Sequence, residues 1–383
     1  MLDALHDGFR NRFHSKPEQV FFCPGRVNLI GEHIDYNGGA VMPFAVNRGV
    51  FLAVARTTEK MLRFHALNFP ATAAFHVQSS YSKTGGEWFN YPLGVIDHFI
   101  QEEKTISGLH LLFAGNLPIG AGLSSSAAIE LVTAYALNQL FGWEQDRVSL
   151  AQQCQKVENS FIGVSCGIMD QFAVAMGKKN KALLLNCDSL EYEYLPLQLP
   201  GYSIVIIDTH KQRQLTDSKY NERFAECGRA LKLLKRELDI PHLCAMTVAQ
   251  FSQYQSLLQD PILEKRVRHV VSENARVQDA VIALQTGDIA VLGKLLYNSH
   301  ESLRTDYEVT GPELDTVIDF CREFSDCAGA RMTGAGFGGC AIAIVKDQAL
   351  PEFGSRLSPY FQKIIGHAPG IFITHAEDGV HLL

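Results

Sequence analysis

No stretch of the chain approaches the ~18 consecutive apolar residues that a membrane-crossing helix needs, so no transmembrane segment is expected. Met1 to Phe13 mixes charge into an amphipathic pattern and lacks the apolar run and small-residue cleavage site of a secretory signal. Basic excess is missing too. With a formal charge of -7, Lys211 to Lys219 and Lys232 to Arg236 read as solvated helix faces, and no nucleic-acid surface is expected. The nine cysteines form no Cys-x-x-Cys pair, which argues against a disulfide framework or structural zinc site and fits a reducing, cytosolic setting. No His-Glu-x-x-His motif occurs, and internal repeats are absent.

What is present is the composition of a globular protein, 46% hydrophobic and 20% charged over 383 residues. That length suggests two domains. Short β-rich runs are read at Gln19 to Cys23, Gly49 to Arg56, Met61 to His65 and His110 to Phe113. Helical spacing marks Ala127, Leu131, Ala134, Leu137 and Phe141, and again Ala151, Cys154 and Phe161. Strands are expected at Ala182 to Cys187 and Tyr202 to Ile207. The proline-bearing connection from Leu195 to Gly201 is the candidate boundary between lobes 1–197 and 198–383. Beyond it, helices are predicted near Asp217 to Leu238, Pro261 to Gln285, Asp288 to Leu303 and Pro312 to Phe324, followed by a strand from Cys340 to Val345. The whole reads as a two-lobed α+β chain.

Four segments carry chemistry. Pro118 to Ala127 (Pro-Ile-Gly-Ala-Gly-Leu-Ser-Ser-Ser-Ala) leaves a strand and enters a helix. Its glycines permit close approach of the backbone to an anion, and N–H groups at a helix start attract phosphate. An ordinary loop with a serine cap would use the same residues. No lysine follows the glycines, so it is not a Walker A loop. Glu158, on or beside the inward stripe of the Cys154 helix, is the candidate magnesium carboxylate, the alternative being a stripe-edge pair with Lys156. Gly25 to Gly39, just after the first strand, packs Arg26, Glu32, His33 and Asp35 among glycines, a polar density suited to sugar hydroxyls. Cys166 to Phe172 sets Asp170 near a helix N-terminus and off its apolar stripe, where it serves as a base or merely as a cap. Gly334 to Gly339 formally matches Gly-x-Gly-x-x-Gly, but a strand follows where a dinucleotide site requires a helix, so a glycine-rich hairpin or loop is expected instead.

Together these segments resemble the galactokinases of the GHMP small-molecule kinase superfamily over essentially the whole chain, with further likeness at Val157-Glu158-Asn159, Ser218 to Asn221 and His300 to Arg304. The resemblance implies an N-terminal lobe like ribosomal protein S5 domain 2, a ferredoxin-like C-terminal lobe and an active site between them. It implies galactose against Arg26, Glu32, His33, Asp35, Gly167, Asp170 and Tyr220, and ATP on Gly120, Ala121, Gly122, Leu123, Ser124, Ser125 and Ser126. Mg²⁺ is implied at Ser126 and Glu158, with Asp170 as base and Arg26 as transition-state stabiliser. Ile34 and Ala335 stand where many relatives carry threonine and glycine. A kinase for N-acetylgalactosamine or a non-catalytic galactose sensor would share this scaffold; the intact Ser125-Ser126-Ala127 run favours an enzyme. No partner surface is read from the sequence, and a monomer is compatible with it.

Overall fold

The computed structural model describes residues 1–118, 120–211 and 216–383, with the side chains of Thr216, Asp217 and Ser218 left aside. Ile119 of the glycine-serine motif, part of the basic stretch after Lys211 and the Ser218 side chain therefore lie outside the described residues.

The chain begins with α1 (Leu2–Phe13), β1 (Gln19–Asn28), β2 (Ala40–Val41), β3 (Pro43–Thr57), β4 (Met61–Ala66) and β5 (Ala73–His76). It continues through α2 (Asn90–Gln101), β6 (Gly108–Gly115), α3 (Ser125–Phe141), α4 (Arg147–Val157) and α5 (Met169–Met176), then β7 (Lys181–Asn186), β8 (Tyr192–Pro196) and β9 (Tyr202–Asp208). Helices dominate the rest: α6 (Thr216–Leu234), α7 (Val248–Tyr254), α8 (Pro261–Thr286), α9 (Ile289–Ser302) and α10 (Pro312–Glu323). The hairpin β10 (Cys327–Thr333) and β11 (Cys340–Lys346), α11 (Leu350–Ile365), β12 (Gly370–Thr374) and β13 (His381–Leu382) complete it.

Three sheets organise these elements, in the orders β13-β1-β3-β6-β4-β5, β10-β11-β9-β12 and β2-β7-β8. The second is built wholly from residues after 198, and the other two from residues before it except for β13, which returns to pair with β1. Period-two alternation divides the first sheet's faces. Val20, Ala53, Ala55, Leu112 and Ala114 pack with Leu5 and Phe9 of α1 on one side. Phe21, Leu52, Val54, Leu111 and Phe113 join the main core on the other. There α3 lies against β1 and β3, and its buried Ala127, Ala128, Leu131, Val132, Ala134 and Leu137 are small enough to let it sit close. Local chemistry sets the longest helix: the Asp260 side chain accepts from Ile262 N–H, Pro261 opens α8, and Gly287 closes it at φ 70°.

Two sequence expectations shift in ways that matter for the site. The first strand does not stop at Cys23 but runs through a register shift at Pro24/Arg26 to Asn28, so Arg26 belongs to β1 rather than to a loop after it. The helix carrying Cys154 ends at Val157, and Glu158 opens a π-helical turn, Glu158–Ile162. The strand β10 had no strong signal in Cys-Ala-Gly-Ala-Arg-Met-Thr and forms because β11 pairs with it along its length. Gly334 to Gly339 is accordingly the tip of a hairpin.

Candidate active site

Arg26 and Asp170, 144 residues apart in sequence, meet as a two-pronged ion pair: Nε donates to Oδ1 at 2.9 Å and Nη2 to Oδ2 at 2.8 Å. β1 presents the arginine, only 4% exposed, and the first turn of α5 presents the aspartate. The third guanidinium nitrogen, Nη1, donates to the Gly122 carbonyl at 2.7 Å, and the Arg26 backbone N–H donates to that of Leu123. The glycine-serine segment is thereby bound to the pair. Ser124 donates its hydroxyl to Asp170 Oδ2 at 2.7 Å instead of capping α3.

Around this pair lies a cleft of about 230 Å³. Arg26, Glu32, His33, Asp35, Gly120, Gly122, Ser124, Ser125, Ser126, Glu158, Gly167, Asp170 and Tyr220 all line it. Ala121 and Leu123, expected on the nucleotide, turn their side chains into the core instead, at 1% and 2% exposure, because the segment must anchor on the sheet. Only their backbone groups remain to meet a ligand.

The signature loop is held more firmly than its polarity suggested. Buried Glu32 accepts from Arg331 Nη2 at 2.6 Å, from Asn28 Nδ2 and from Gly334 N–H, so it ties the loop to β10 as well as facing the cleft. Burial raises its carboxyl above the usual range, against the lowering pull of Arg331. The His33 ring is engaged at both nitrogens. Burial, with His269 next, pushes its pKa down to about 3, so it is neutral. Since Nε2 lies 3.1 Å from the Ala335 carbonyl, it must carry the proton; Nδ1 then accepts from the Tyr36 hydroxyl at 2.9 Å. The order continues with the Tyr307 hydroxyl donating to Tyr36 at 2.7 Å.

Asp35 is the strained charge of the site. Burial first, and the neighbouring Asp170 charge second, raise its pKa to about 7. Gly167 makes room for it: a Cβ there would fall 2.0 Å from Asp35 Oδ2, so no other residue fits without moving that carboxylate. The Tyr220 ring closes this side, 5.5 Å from the His33 ring and 5.3 Å from that of Tyr36.

Glu158 faces the cleft and accepts from buried Gln171. Close by, fully buried Glu130 has its carboxyl pushed up, by burial first and then by the Glu158 charge. Ser126 and Glu158 both bring hard oxygen donors to the cleft, and among the described residues four carboxylates line it against the one guanidinium of Arg26. Such a set suits Mg²⁺, which takes few protein ligands and completes its shell from water and phosphate. Among the described residues no group of three or more His, Cys, Asp or Glu side chains forms a cage.

Some lining residues had not been anticipated. Tyr91, Cys166, Met169 and Ala335 border the cleft, and a second, mainly apolar pocket of about 250 Å³ adjoins it through Tyr91, Gly120, Ser125 and Ser126. Phe69, Trp88, Phe113, Leu117 and Ile129 form its walls. The aromatic pair Trp88 and Tyr91, the first in the turn before α2 and the second in its first turn, was the signal available in the sequence.

A glycine-serine loop clasped to an arginine-aspartate pair, in a cleft that also takes in Tyr220 and the Gly334 hairpin tip, belongs to a chain whose class is that of the GHMP small-molecule kinases. Profiles described as "GHMP kinases N terminal domain" and "GHMP kinases C terminal" match residues 90–178 and 280–358, and one described as "Galactokinase galactose-binding signature" matches residues 7–56. A galactokinase of Clostridium acetobutylicum is 45% identical over 99% of this chain and 98% of its own length; that of Enterococcus faecalis is 45% identical with both chains fully covered. The crystal structure of Lactococcus lactis galactokinase complexed with galactose superposes with a TM-score of 0.97 at 41% identity, covering all of both chains. Methanococcus jannaschii mevalonate kinase shares the fold, with a TM-score of 0.69 at 18% identity over 94% of this chain and 98% of its own. The chain belongs to the galactokinase family.

Proposed function

We propose that the enzyme phosphorylates the anomeric C1 hydroxyl of galactose, using ATP with Mg²⁺. The observation that carries this reading is the Arg26–Asp170 pair, set in a polar cleft and hydrogen-bonded to the glycine-serine segment. The C1 hydroxyl proton passes to the Asp170 carboxylate as its oxygen bonds to the γ-phosphorus. The bond from that phosphorus to the bridging oxygen breaks, and ADP leaves with galactose 1-phosphate. Arg26 aligns Asp170 through the two-pronged ion pair and offsets charge on the transferring group.

Glu32, Asp35 and Tyr220, with the His33 backbone, are the sugar contacts, and Gly167 keeps Asp35 in register. A site built for hydroxyl pairing rejects an epimer because its buried polar groups are left unmatched, so glucose is discriminated against. Backbone groups of Gly120 to Ser126 and the N-terminus of α3 receive the phosphates. The adjoining apolar pocket, edged by Trp88 and Tyr91, suits the flat base of the nucleotide. Mg²⁺ held by Ser126 and Glu158 would neutralise charge on the β- and γ-phosphates. The division into lobes 1–197 and 198–383 and a cytosolic setting belong to the same reading; nine free thiols suit a reducing compartment.

The test is a panel of galactose, glucose and N-acetylgalactosamine with ATP and magnesium, reading ADP release and the phosphorylated position by phosphorus NMR. Galactose alone is expected to turn over rapidly, with phosphate on C1. Equal use of glucose, phosphate on another carbon, or sugar and nucleotide binding without turnover would overturn the assignment.

A further inference from the structure

Three serines follow one another at the start of α3, and they do not do the same thing. Ser125 is exposed and Ser126 half-buried, both lining the cleft, whereas Ser124 is only 6% exposed. Its backbone sits in the left-handed region, at φ 60° and ψ 44°, which a non-glycine residue adopts at a cost. It occupies the N-cap position yet makes no capping bond. Its hydroxyl points to Asp170 Oδ2 at 2.7 Å. A hydroxyl has one proton to donate, and both phosphate oxygens and an ionised carboxylate are acceptors only. While Ser124 serves Asp170 it cannot also donate to a phosphate.

We infer that Ser124 is a positioning residue for Asp170, and that residues 122–124 form a clasp through which the nucleotide segment sets the orientation of the base. Gly122 and Leu123 grip Arg26 through their carbonyls, and Ser124 grips Asp170 through its hydroxyl, so three consecutive residues hold the pair. Backbone strain retained at a reacting centre is the pattern expected where conformation is fixed for chemistry rather than for stability. This inference rests on the assignment of Asp170 as the base.

The experiment compares Ser124→Ala and Ser124→Gly with the wild type, measuring kcat, KM for ATP, KM for galactose and Tm. Both variants are expected to lose about 10-fold or more in kcat, with KM for ATP moving less than about threefold, as for a lost charge-assisted contact that orients the base. Glycine accepts the left-handed conformation freely, so Ser124→Gly should melt no lower than the wild type while remaining slow. Combined with Asp170→Asn, Ser124→Ala should add little further loss, because the two residues act as a unit. A raised KM for ATP with kcat preserved would make Ser124 a phosphate ligand instead. Recovery of kcat in step with Tm in the glycine variant would reduce it to a structural residue. If Asp170→Asn alone kept its turnover, the base assignment would fail; if only the Ser124 variants did, the clasp alone would.

Discussion

Asp35 is costly to keep charged where it sits, and that cost has a measurable sign. Its folded-state pKa of about 7 lies above the ordinary 3.8, so the folded protein holds a proton that the unfolded chain has released between those values. Stability contributed by this group therefore falls as pH rises from about 4 to about 7, then levels off. Asp35→Asn removes the penalty. The Tm difference between variant and wild type is predicted to grow in the variant's favour from pH 5 to pH 7.5, while galactose affinity is lost. A constant difference across that range would mean that Asp35 is not the group penalised by burial. Glu130 and His33 were opaque in the sequence for a related reason: a titratable residue's charge state follows from burial, which the residue type does not announce.

At the scale of elements, the hairpin β10–β11 and the signature loop are locked together. Arg331 is fully buried and donates to Glu32 and to the Asn28 carbonyl, Gly334 N–H donates to Glu32, and Thr333 accepts from the Asn28 N–H. Removing one partner of a buried ion pair leaves the other uncompensated, so Arg331→Met is predicted to cost about 3–5 kcal/mol in urea unfolding at pH 7. The loss should shrink as pH falls, because an unpaired Glu32, already raised by burial, takes up a proton more readily than the paired one. A cost below about 1 kcal/mol at pH 7 would show that this tie is not what holds the hairpin on the loop. The long helices α8, α9 and α10 were readable because their apolar residues recur at the helical period and Asp260, Asp288, Pro261 and Pro312 punctuate their starts. β10 was not, since glycine and alanine carry little strand preference and its partner lies across a hairpin.

Over the whole molecule, the sequence grouped residues that line one cleft better than it showed how their side chains are held. Arg26, Asp35, Gly167, Asp170 and Ser126 converge on one cleft, as their motifs suggested. The apolar pocket beside it was missed because its walls come from β3, β4, β6, α2 and α3, whose residues individually read as core. His33, expected among the sugar contacts, lines the cleft while its ring joins a hydrogen-bond chain from Ala335 to Tyr307, a use that only the tertiary arrangement reveals. Turnover by the proposed mechanism requires Asp170 to take the proton that galactose gives up. Single-turnover kinetics of Asp170→Asn, run beside calorimetric titration with galactose, tests that most directly. The predicted result is a chemical step slower by roughly 10² to 10⁴ with galactose still bound; a step near the wild-type rate in a variant that binds sugar normally would contradict it.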